Sequence, residues 1–167
     1  MAAILAPSRD AIRTGPAPIL QIDGLCVHYT RKAGDDPSIL DHISLSIERG
    51  EIFGLAGESG SGKSTLAESV LRLLEPPRYV RAGHVWFHPR GADEPVDLMT
   101  LSERRLRAIR WKGISYIPQG SMNSLNPVLR IGQQIVDAMV DHDIDKRQAM
   151  ERVPEVLQLV GLETPIA

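Results

Sequence analysis

The stretch of sequence with the clearest chemical pattern is "GESGSGKS", which runs from Gly57 to Ser64. It fits the phosphate-loop pattern of a glycine, four further residues, a second glycine, a lysine, and a serine or threonine. Glycine adopts backbone angles that other residues avoid, so successive backbone N–H groups can turn toward one anion. We therefore expect the phosphates of a nucleotide to be bound by the following residues: Gly57, Ser59, Gly60, Ser61, Gly62, Lys63, Ser64 and Thr65.

Three side chains of this pattern have separate expected roles. Lys63 should reach the β and γ phosphates as a point charge, the Ser64 hydroxyl should ligate Mg²⁺, and Thr65 should donate to a phosphate oxygen. A flexible glycine turn without a ligand is the alternative interpretation. The flanks favour the phosphate loop, because the preceding residues 51–56, "EIFGLA", predict a buried strand, and the following residues 63–74 predict an amphipathic helix with its positive end at the phosphates.

The elements around the loop predict an alternation of strands and helices. Two strand-like stretches, 19–30 and 39–47, come before the loop, and "ERGE" at 48–51 predicts a tight turn. After the loop, Pro76 and Pro77 end the helix, and the sequence then predicts a strand at 82–88, a helix capped by Ser102, and a strand at 113–118. Residues 131–162 predict two helices, the second interrupted or restarted by Pro154.

Composition describes a globular chain and excludes several classes of protein. The 167 residues are 43% hydrophobic, and 19 basic residues nearly balance 21 acidic ones. The net charge of -2 gives no general electrostatic reason to expect nucleic acid as a partner. No apolar run approaches the roughly 20 residues that span a bilayer, and the first residues do not resemble a secretion signal.

The remaining polar features have ordinary interpretations. The single cysteine, Cys26, lies in a predicted strand and is interpreted as a small buried hydrophobic residue, which fits a reducing compartment. His84 and His88 share one face of a predicted strand, but no cysteine or third histidine is nearby, so a metal site there is disfavoured. The basic stretch 103–112, "ERRLRAIRWK", is interpreted as a helix with a solvated face.

Phosphate loops occur in kinases, GTPases, motor ATPases and transporter ATPases, so the flanking residues must distinguish among them. The order "LCVHYT…ILDHISLSIERGEIFGLAGESGSGKSTL" resembles the start of an ABC transporter nucleotide-binding domain. The resemblance implies that ATP and Mg²⁺ are the cofactors. It also implies that Tyr29 stacks on adenine, although an ordinary strand aromatic is the alternative for that residue.

A second stretch, "ISYIPQGSMNSLNPVLRIGQQI", resembles the glutamine loop of ABC ATPases, and its "SLNP" resembles the oligopeptide, dipeptide and nickel importer subfamily. The resemblance implies that the amide of Gln119 meets Mg²⁺ or the attacking water. Three residues depart from the family pattern. Pro118 replaces a common aromatic, Gly120 replaces a common acid, and Pro154 interrupts a helix that is continuous in the family.

The resemblance implies an α/β P-loop NTPase fold of the ABC type, truncated, with an antiparallel β subdomain and an incomplete helical subdomain. We expect a flexible leader at 1–17, an ATP-binding core at 18–118, and the glutamine loop with the start of the helical subdomain at 119–167. The family's signature segment, the acidic strand end with its catalytic glutamate, and the switch histidine are not found in the sequence. The expectation is that this chain binds ATP–Mg²⁺ and does not hydrolyse it alone.

The resemblance further implies an ATP-binding subunit of an importer for peptides or nickel, peripheral to the cytoplasmic face of the membrane. Its partners would be transmembrane permease subunits, a second ATP-binding subunit and, indirectly, a substrate-binding protein, with no nucleic acid. One alternative is a non-catalytic nucleotide-binding or partner module. Another is a soluble ABC-type ATPase such as those of DNA repair, which lack the "NSLNP" stretch.

Overall fold

The computed structural model describes residues 17–30, 36–110, 112–120 and 125–162. The chain divides into two units, Met1–Tyr116 and Ile117–Ala167, which are treated in turn. The predicted leader lies outside the described residues except for Ala17. Among the described residues, no helix combines the length and the apolar character needed to cross a membrane.

A four-stranded antiparallel sheet forms the framework of the first unit. Its strands are β1 (Leu20–Tyr29), β2 (Ser38–Ile47), β3 (Arg78–Phe87) and β4 (Val96–Asp97), in the spatial order β2-β1-β3-β4. The first two strands match the predicted strand stretches, and β3 begins earlier than expected. The two-residue β4 was not predicted, because it directly follows a polar insertion and is too short to show alternation.

In its described residues the first unit also has two helices, α1 (Lys63–Val70) and α2 (Glu103–Ile109). The prediction that α1 reaches residue 74 was wrong, because Arg72 has a φ of 52°, in the left-handed region where a helix ends. Ser102 occupies the N-cap position of α2 as predicted, but its side chain makes no capping hydrogen bond. Together with the antiparallel sheet, these helices confirm the predicted α/β class.

The core of the first unit lies between one face of the sheet and the two helices. Each fully buried Leu or Val side chain stabilises the fold by about 1.5–3 kcal/mol relative to an exposed one. The buried residues come from every strand or its immediate flank and from both helices: Ile22, Leu25, Val27, Leu40, Leu66, Val70, Leu71, Val85, Phe87, Leu98 and Leu106. This packing fixes α1, and therefore the loop before it, against the sheet.

Two predicted strands are not part of the sheet. Residues 51–56, expected as a buried strand, pair with no described strand, and Ile52 is 99% exposed. Residues 113–118 make one isolated bridge, between Ile114 and Arg110, and Ile117 is 84% exposed. Both predictions were wrong for the described residues. An apolar pattern can resemble a strand, but a strand also needs a neighbouring strand to accept and donate its backbone hydrogen bonds.

Arg110 ties α2 to the end of α1. Its Nε and Nη2 donate to the Leu71 carbonyl oxygen at 3.0 and 2.7 Å, and Nη2 also donates to the Arg72 carbonyl at 3.2 Å. Its Nη1 donates to Glu103 Oε1 at 2.7 Å. The interpretation of this basic stretch as solvated is therefore wrong for Arg110, which satisfies carbonyls that the end of α1 leaves without partners.

The second unit contains two packed helices, α3 (Ile131–Val140) and α4 (Lys146–Leu159). Asp145 caps α4, since its Oδ1 accepts from the backbone N–H groups of Arg147 and Gln148 at 2.9 and 3.3 Å. The apolar faces meet in a small core: Val136, Met139, Ala149, Val153 and Leu157.

Pro154 lies inside α4 without ending it, so the expected interruption or restart was wrong. Proline removes one helical hydrogen bond and crowds the preceding turn, which disfavours a helix interior. Pro154 itself is exposed, whereas Val153 before it and Leu157 after it are buried against α3. Burial of that apolar face offsets the lost hydrogen bond and keeps the helix continuous.

A hydrogen bond joins Tyr79 of β3 to Asp36, which lies two residues before β2, and it can be tested by titration. The Tyr79 hydroxyl donates to Asp36 Oδ2 at 2.8 Å, and this hydrogen bond, together with the negative charge of Asp36, raises the pKa of Tyr79 above its ordinary value. Asp36→Asn should lower that pKa toward its ordinary value, measured from phenolate absorbance in an alkaline titration. The Tyr79→Phe variant lacks this phenol, so the absorbance change that it loses is the change due to Tyr79.

The sign of the linked stability follows from the direction of this shift. Folding favours the neutral phenol, so its contribution to the free energy of unfolding is fully present below about pH 10 and is lost as the pH rises through the raised pKa. Asp93→Asn, which removes an exposed carboxylate elsewhere in the unit, serves as the control for net charge. Equal titration curves for Asp36→Asn and Asp93→Asn would contradict the assignment.

Candidate functional site

The glycine loop lies between the extended residues 51–56 and the first turn of α1. A cavity of about 780 Å³ opens beside it, within the first unit. Its walls come from the start of β2, from the loop itself, and from Lys63 and Leu66 of α1. The sequence motif therefore stands at the edge of a space large enough for a nucleotide-sized ligand.

Gly62 shows why the loop requires glycine. It is the N-cap residue of α1, with a φ of 92° in the left-handed region. A Cβ atom placed on Gly62 would lie 2.7 Å from Leu40 Cδ2 of β2. The loop is thus packed directly on a core residue of the sheet, with no room for a side chain at that point.

The first turn of α1 supplies hydrogen-bond donors for an anion. The backbone N–H of Leu66 donates to the Gly62 carbonyl at 2.8 Å, which is the first bond of the helix. Lys63, Ser64 and Thr65 precede it, at positions where a helix offers no intrahelical acceptor. Because the helix dipole is positive at this end, the turn can bind phosphate oxygens.

The Lys63 ammonium lies over the loop. Its Nζ donates to the carbonyl oxygens of Gly57 and Glu58 at 2.7 and 2.6 Å, and to Ser61 Oγ at 3.1 Å. These partners are neutral oxygens, and an ammonium bonds more strongly to an anionic phosphate oxygen than to a neutral carbonyl. The charge of Lys63 is therefore held at the loop, where exchange of partners requires only a turn of a flexible side chain.

Ser64 and Thr65 differ in exposure. Ser64 is exposed in the first turn, so its hydroxyl is accessible, and a hydroxyl oxygen is a ligand type that Mg²⁺ accepts together with phosphate oxygens. Thr65 is buried, and its carbonyl accepts from Ser69 Oγ at 2.6 Å, which fixes the turn. The donor set of the loop fits a polyphosphate with Mg²⁺. The individual roles of Ser64 and Thr65 remain predictions.

Tyr29 is not among the residues that line the cavity beside the loop. It is the last residue of β1 and is 41% exposed, so its ring is accessible at the end of the strand. The ring of Tyr29 is therefore accessible for the predicted contact with adenine. That contact remains a prediction.

Gln119 belongs to the second unit and is exposed. It is followed by Gly120, whose φ of 76° lies in the left-handed region that disfavours other residues. This backbone conformation gives a physical reason for glycine at a position where the resemblance leads one to expect an acid. The predicted catalytic and Mg²⁺ roles of Gln119 stay predictions.

Gln134 is a residue that the sequence reasoning missed. Its Oε1 accepts from the Asn126 backbone N–H at 2.8 Å, and its Nε2 donates to the carbonyls of Asn126 and Leu129 at 3.0 and 3.1 Å. One amide on α3 thereby holds the "LNP" part of the quoted motif. The pattern of the sequence carried no signal for this contact, because any exposed glutamine can stand at such a position.

The two histidines considered as a metal pair have separate partners. His84 Nδ1 lies 2.7 Å from Asp97 Oδ2, and His88 Nε2 lies 2.9 Å from the carbonyl oxygen of Ala92. Both contacts are within the first unit. They support the interpretation that these histidines are polar residues of the strand and its flank rather than a shared metal site.

The chain matches the family described as ABC transporter over residues 40–166. It is similar to the oligopeptide transport ATP-binding protein OppD of Bacillus subtilis, with 34% identity over 149 residues, which cover 88% of this chain and 40% of that protein. It is also similar to a putative peptide import ATP-binding protein of Brucella ovis, with 38% identity over 146 residues, which cover 87% of this chain and 42% of that protein.

A third relative is the dipeptide transport ATP-binding protein DppD of Haemophilus influenzae. It is 34% identical over 148 residues, which cover 88% of this chain and 43% of that protein. The chain thus spans about two fifths of the length of these curated relatives.

The packing of Gly62 on Leu40 can be tested by substitution. Gly62→Ala should lower the free energy of unfolding by about 1–3 kcal/mol, because the new methyl group is strained by φ and meets Leu40. Gly50→Ala is the matched control, since Gly50 has a φ of 77° with no atom near its Cβ position. Urea denaturation should show the larger loss for Gly62→Ala. Equal losses of unfolding free energy in the two variants would mean that the contact with Leu40 does not add to the cost of Gly62→Ala.

Proposed function

Because the chain belongs to the ABC transporter family, we propose that it binds ATP–Mg²⁺ at the phosphate loop and forms part of the ATP-binding subunit of a peptide importer. The observation that carries the proposal is the geometry at the start of α1. There an open turn of N–H donors, a left-handed glycine and the Lys63 ammonium meet beside one cavity. Each of these features favours a polyphosphate anion.

Each residue of the site has a different proposed role in binding ATP–Mg²⁺. Backbone N–H groups of the loop and of the first turn of α1 hold the phosphates, and Lys63 exchanges its loop carbonyls for phosphate oxygens. The Ser64 hydroxyl would hold the Mg²⁺, and Thr65 would donate to a phosphate oxygen. When bound, the ion would supply positive charge that offsets the negative charge of the phosphates. Tyr29 stacks on the adenine ring.

Gln119 has the second role in the proposal. Its amide would hold the Mg²⁺ or the attacking water, and its loop would carry the nucleotide state toward the membrane subunits. The turn at Gly120 fixes the backbone directly after this residue. Hydrolysis also needs a general base, which we do not assign to any described residue. We therefore propose that this chain binds ATP without hydrolysing it alone.

The partners of the proposed subunit are transmembrane permease subunits and a second ATP-binding subunit, with a substrate-binding protein acting indirectly. This assigns the chain to the cytoplasmic face of the membrane as a peripheral component. The relatives are named for oligopeptide, peptide and dipeptide transport, which supports peptides over nickel as the substrate class. The same names, with the "SLNP" stretch, favour an importer over a soluble ABC-type ATPase.

Lys63→Ala tests the binding of ATP–Mg²⁺. Loss of charge-assisted hydrogen bonds worth about 1.5–3 kcal/mol should weaken binding by roughly 10-fold to 150-fold. Calorimetric titration of the purified chain measures this change. Lys146→Ala, which removes an exposed lysine at the start of α4, is the matched control and should leave the affinity unchanged. Equal affinities for the two variants would remove the phosphate loop from the proposal.

Phosphate release distinguishes binding from hydrolysis. The purified chain, saturated with ATP–Mg²⁺, should release phosphate no faster than its Lys63→Ala variant, because no general base is assigned. Steady release that depends on Lys63 would contradict this part of the proposal and leave the binding part intact. No binding and no release together would favour a partner module instead.

A further inference from the structure

An irregularity in the β1–β2 pairing brings three metal-ligating residue types together. Val27 pairs with Leu40 and Leu25 pairs with Ile43, so Cys26 faces both Asp41 and His42. Such a β-bulge places two residues of one strand against one residue of the other and changes the direction of their side chains. His42 has a φ of 49°, a left-handed conformation that is uncommon for a residue other than glycine.

The ligand atoms of these residues are close to one another. One atom from each of Cys26, Asp41 and His42 lies within 4.8 Å of the other two. The His42 backbone N–H donates to Cys26 Sγ at 3.3 Å, and His42 Nδ1 lies 2.7 Å from Asp41 Oδ1. Cys26 is buried, whereas the side chains of Asp41 and His42 are 75% and 79% exposed.

From this geometry we propose that Cys26, Asp41 and His42 form a zinc site. A thiolate, an imidazole and a carboxylate are the three protein ligand types that zinc accepts, and a water completes the tetrahedron. On binding, the Cys26 thiol loses its proton to solvent and a sulfur–zinc bond forms. The thiolate and carboxylate then carry two negative charges against the two positive charges of the ion.

The fit requires only a small rearrangement of the cluster. Ligand atoms on one tetrahedral zinc ion stand about 3.3–3.8 Å apart, given bonds of about 2.0–2.3 Å. The separations within the cluster are at most 4.8 Å, about 1.0–1.5 Å above these distances. His42 Nδ1 and Asp41 Oδ1, which are 2.7 Å apart, must instead separate slightly. Asp41 and His42 are exposed and can turn toward the fixed sulfur, so the buried Cys26 is the anchor of the site.

The site stands next to the phosphate loop without belonging to it. Asp41 also lines the cavity beside the loop, and its neighbour Leu40 packs against Gly62. Zinc binding would therefore hold the bulge on which the loop rests. Because nucleotide phosphates bind zinc themselves, the metal must be titrated in the absence of ATP.

Cobalt substitution followed by zinc competition tests the proposal on the purified chain. Co²⁺ should produce a thiolate-to-cobalt charge-transfer absorption band, which Zn²⁺ displaces and which is absent in Cys26→Ser. His42→Gly should weaken zinc binding at least about 10-fold. It should also fold well without metal, because glycine accepts the left-handed backbone at this position.

His142→Gln, a substitution in the second unit, is the matched control and should bind zinc like the unchanged chain. Absence of the charge-transfer band in the unchanged chain would overturn the proposal, and so would a band that persists in Cys26→Ser. Equal zinc affinity for His42→Gly and His142→Gln would remove His42 from the site. Each of these readouts is independent of ATP binding, so failure of the zinc site and failure of the phosphate loop are distinguishable.

Discussion

The burial of one face of α1 against the sheet is the interaction on which the phosphate loop depends. Leu66, Val70 and Leu71 are buried in the same core as the residues of the strands. A short helix is marginal in water by itself, so tertiary packing must supply most of its stability. Since the N–H donors for phosphate belong to the first turn of this helix, their direction is set by apolar contacts at its far side.

Strand β2 serves two purposes within a few residues. Leu40 points into the core and limits position 62 of the loop to glycine, whereas Asp41 and His42 are exposed at the adjacent bulge. The second effect comes from the register shift between Leu25 and Val27 in the β1–β2 ladder. A regular strand would place successive side chains on opposite faces of the sheet and could not direct two neighbouring residues toward one cysteine.

Local patterns of the sequence predicted local features well. The glycine loop before α1, the turn at 48–51, the first two strands and the N-cap position of α2 follow from residue types at fixed spacing, and the structure contains each of them. Features that depend on distant residues were not predictable. The apolar run 51–56 has the composition of a strand, but a ladder needs a neighbour that lies elsewhere in the chain.

The same distinction applies to single residues. Burial of Cys26 was predicted from its strand, but its position opposite a bulge depends on the register of a second strand. Pro154 was expected to interrupt its helix, and only the packing of Val153 and Leu157 against α3 explains why it does not. Lys63 was found from its motif, whereas the contacts of Gln134 with Asn126 and Leu129 in the second unit follow no motif.

Arg110 has a consequence for affinity, although it lies at the opposite end of α1 from the loop. By bonding the carbonyls of Leu71 and Arg72, its guanidinium prevents the last turn of an eight-residue helix from fraying. The conformational entropy of α1 is therefore lost when the chain folds rather than when a ligand arrives. A phosphate group meets donors that are already ordered, so its binding free energy is not reduced by the cost of forming a helix.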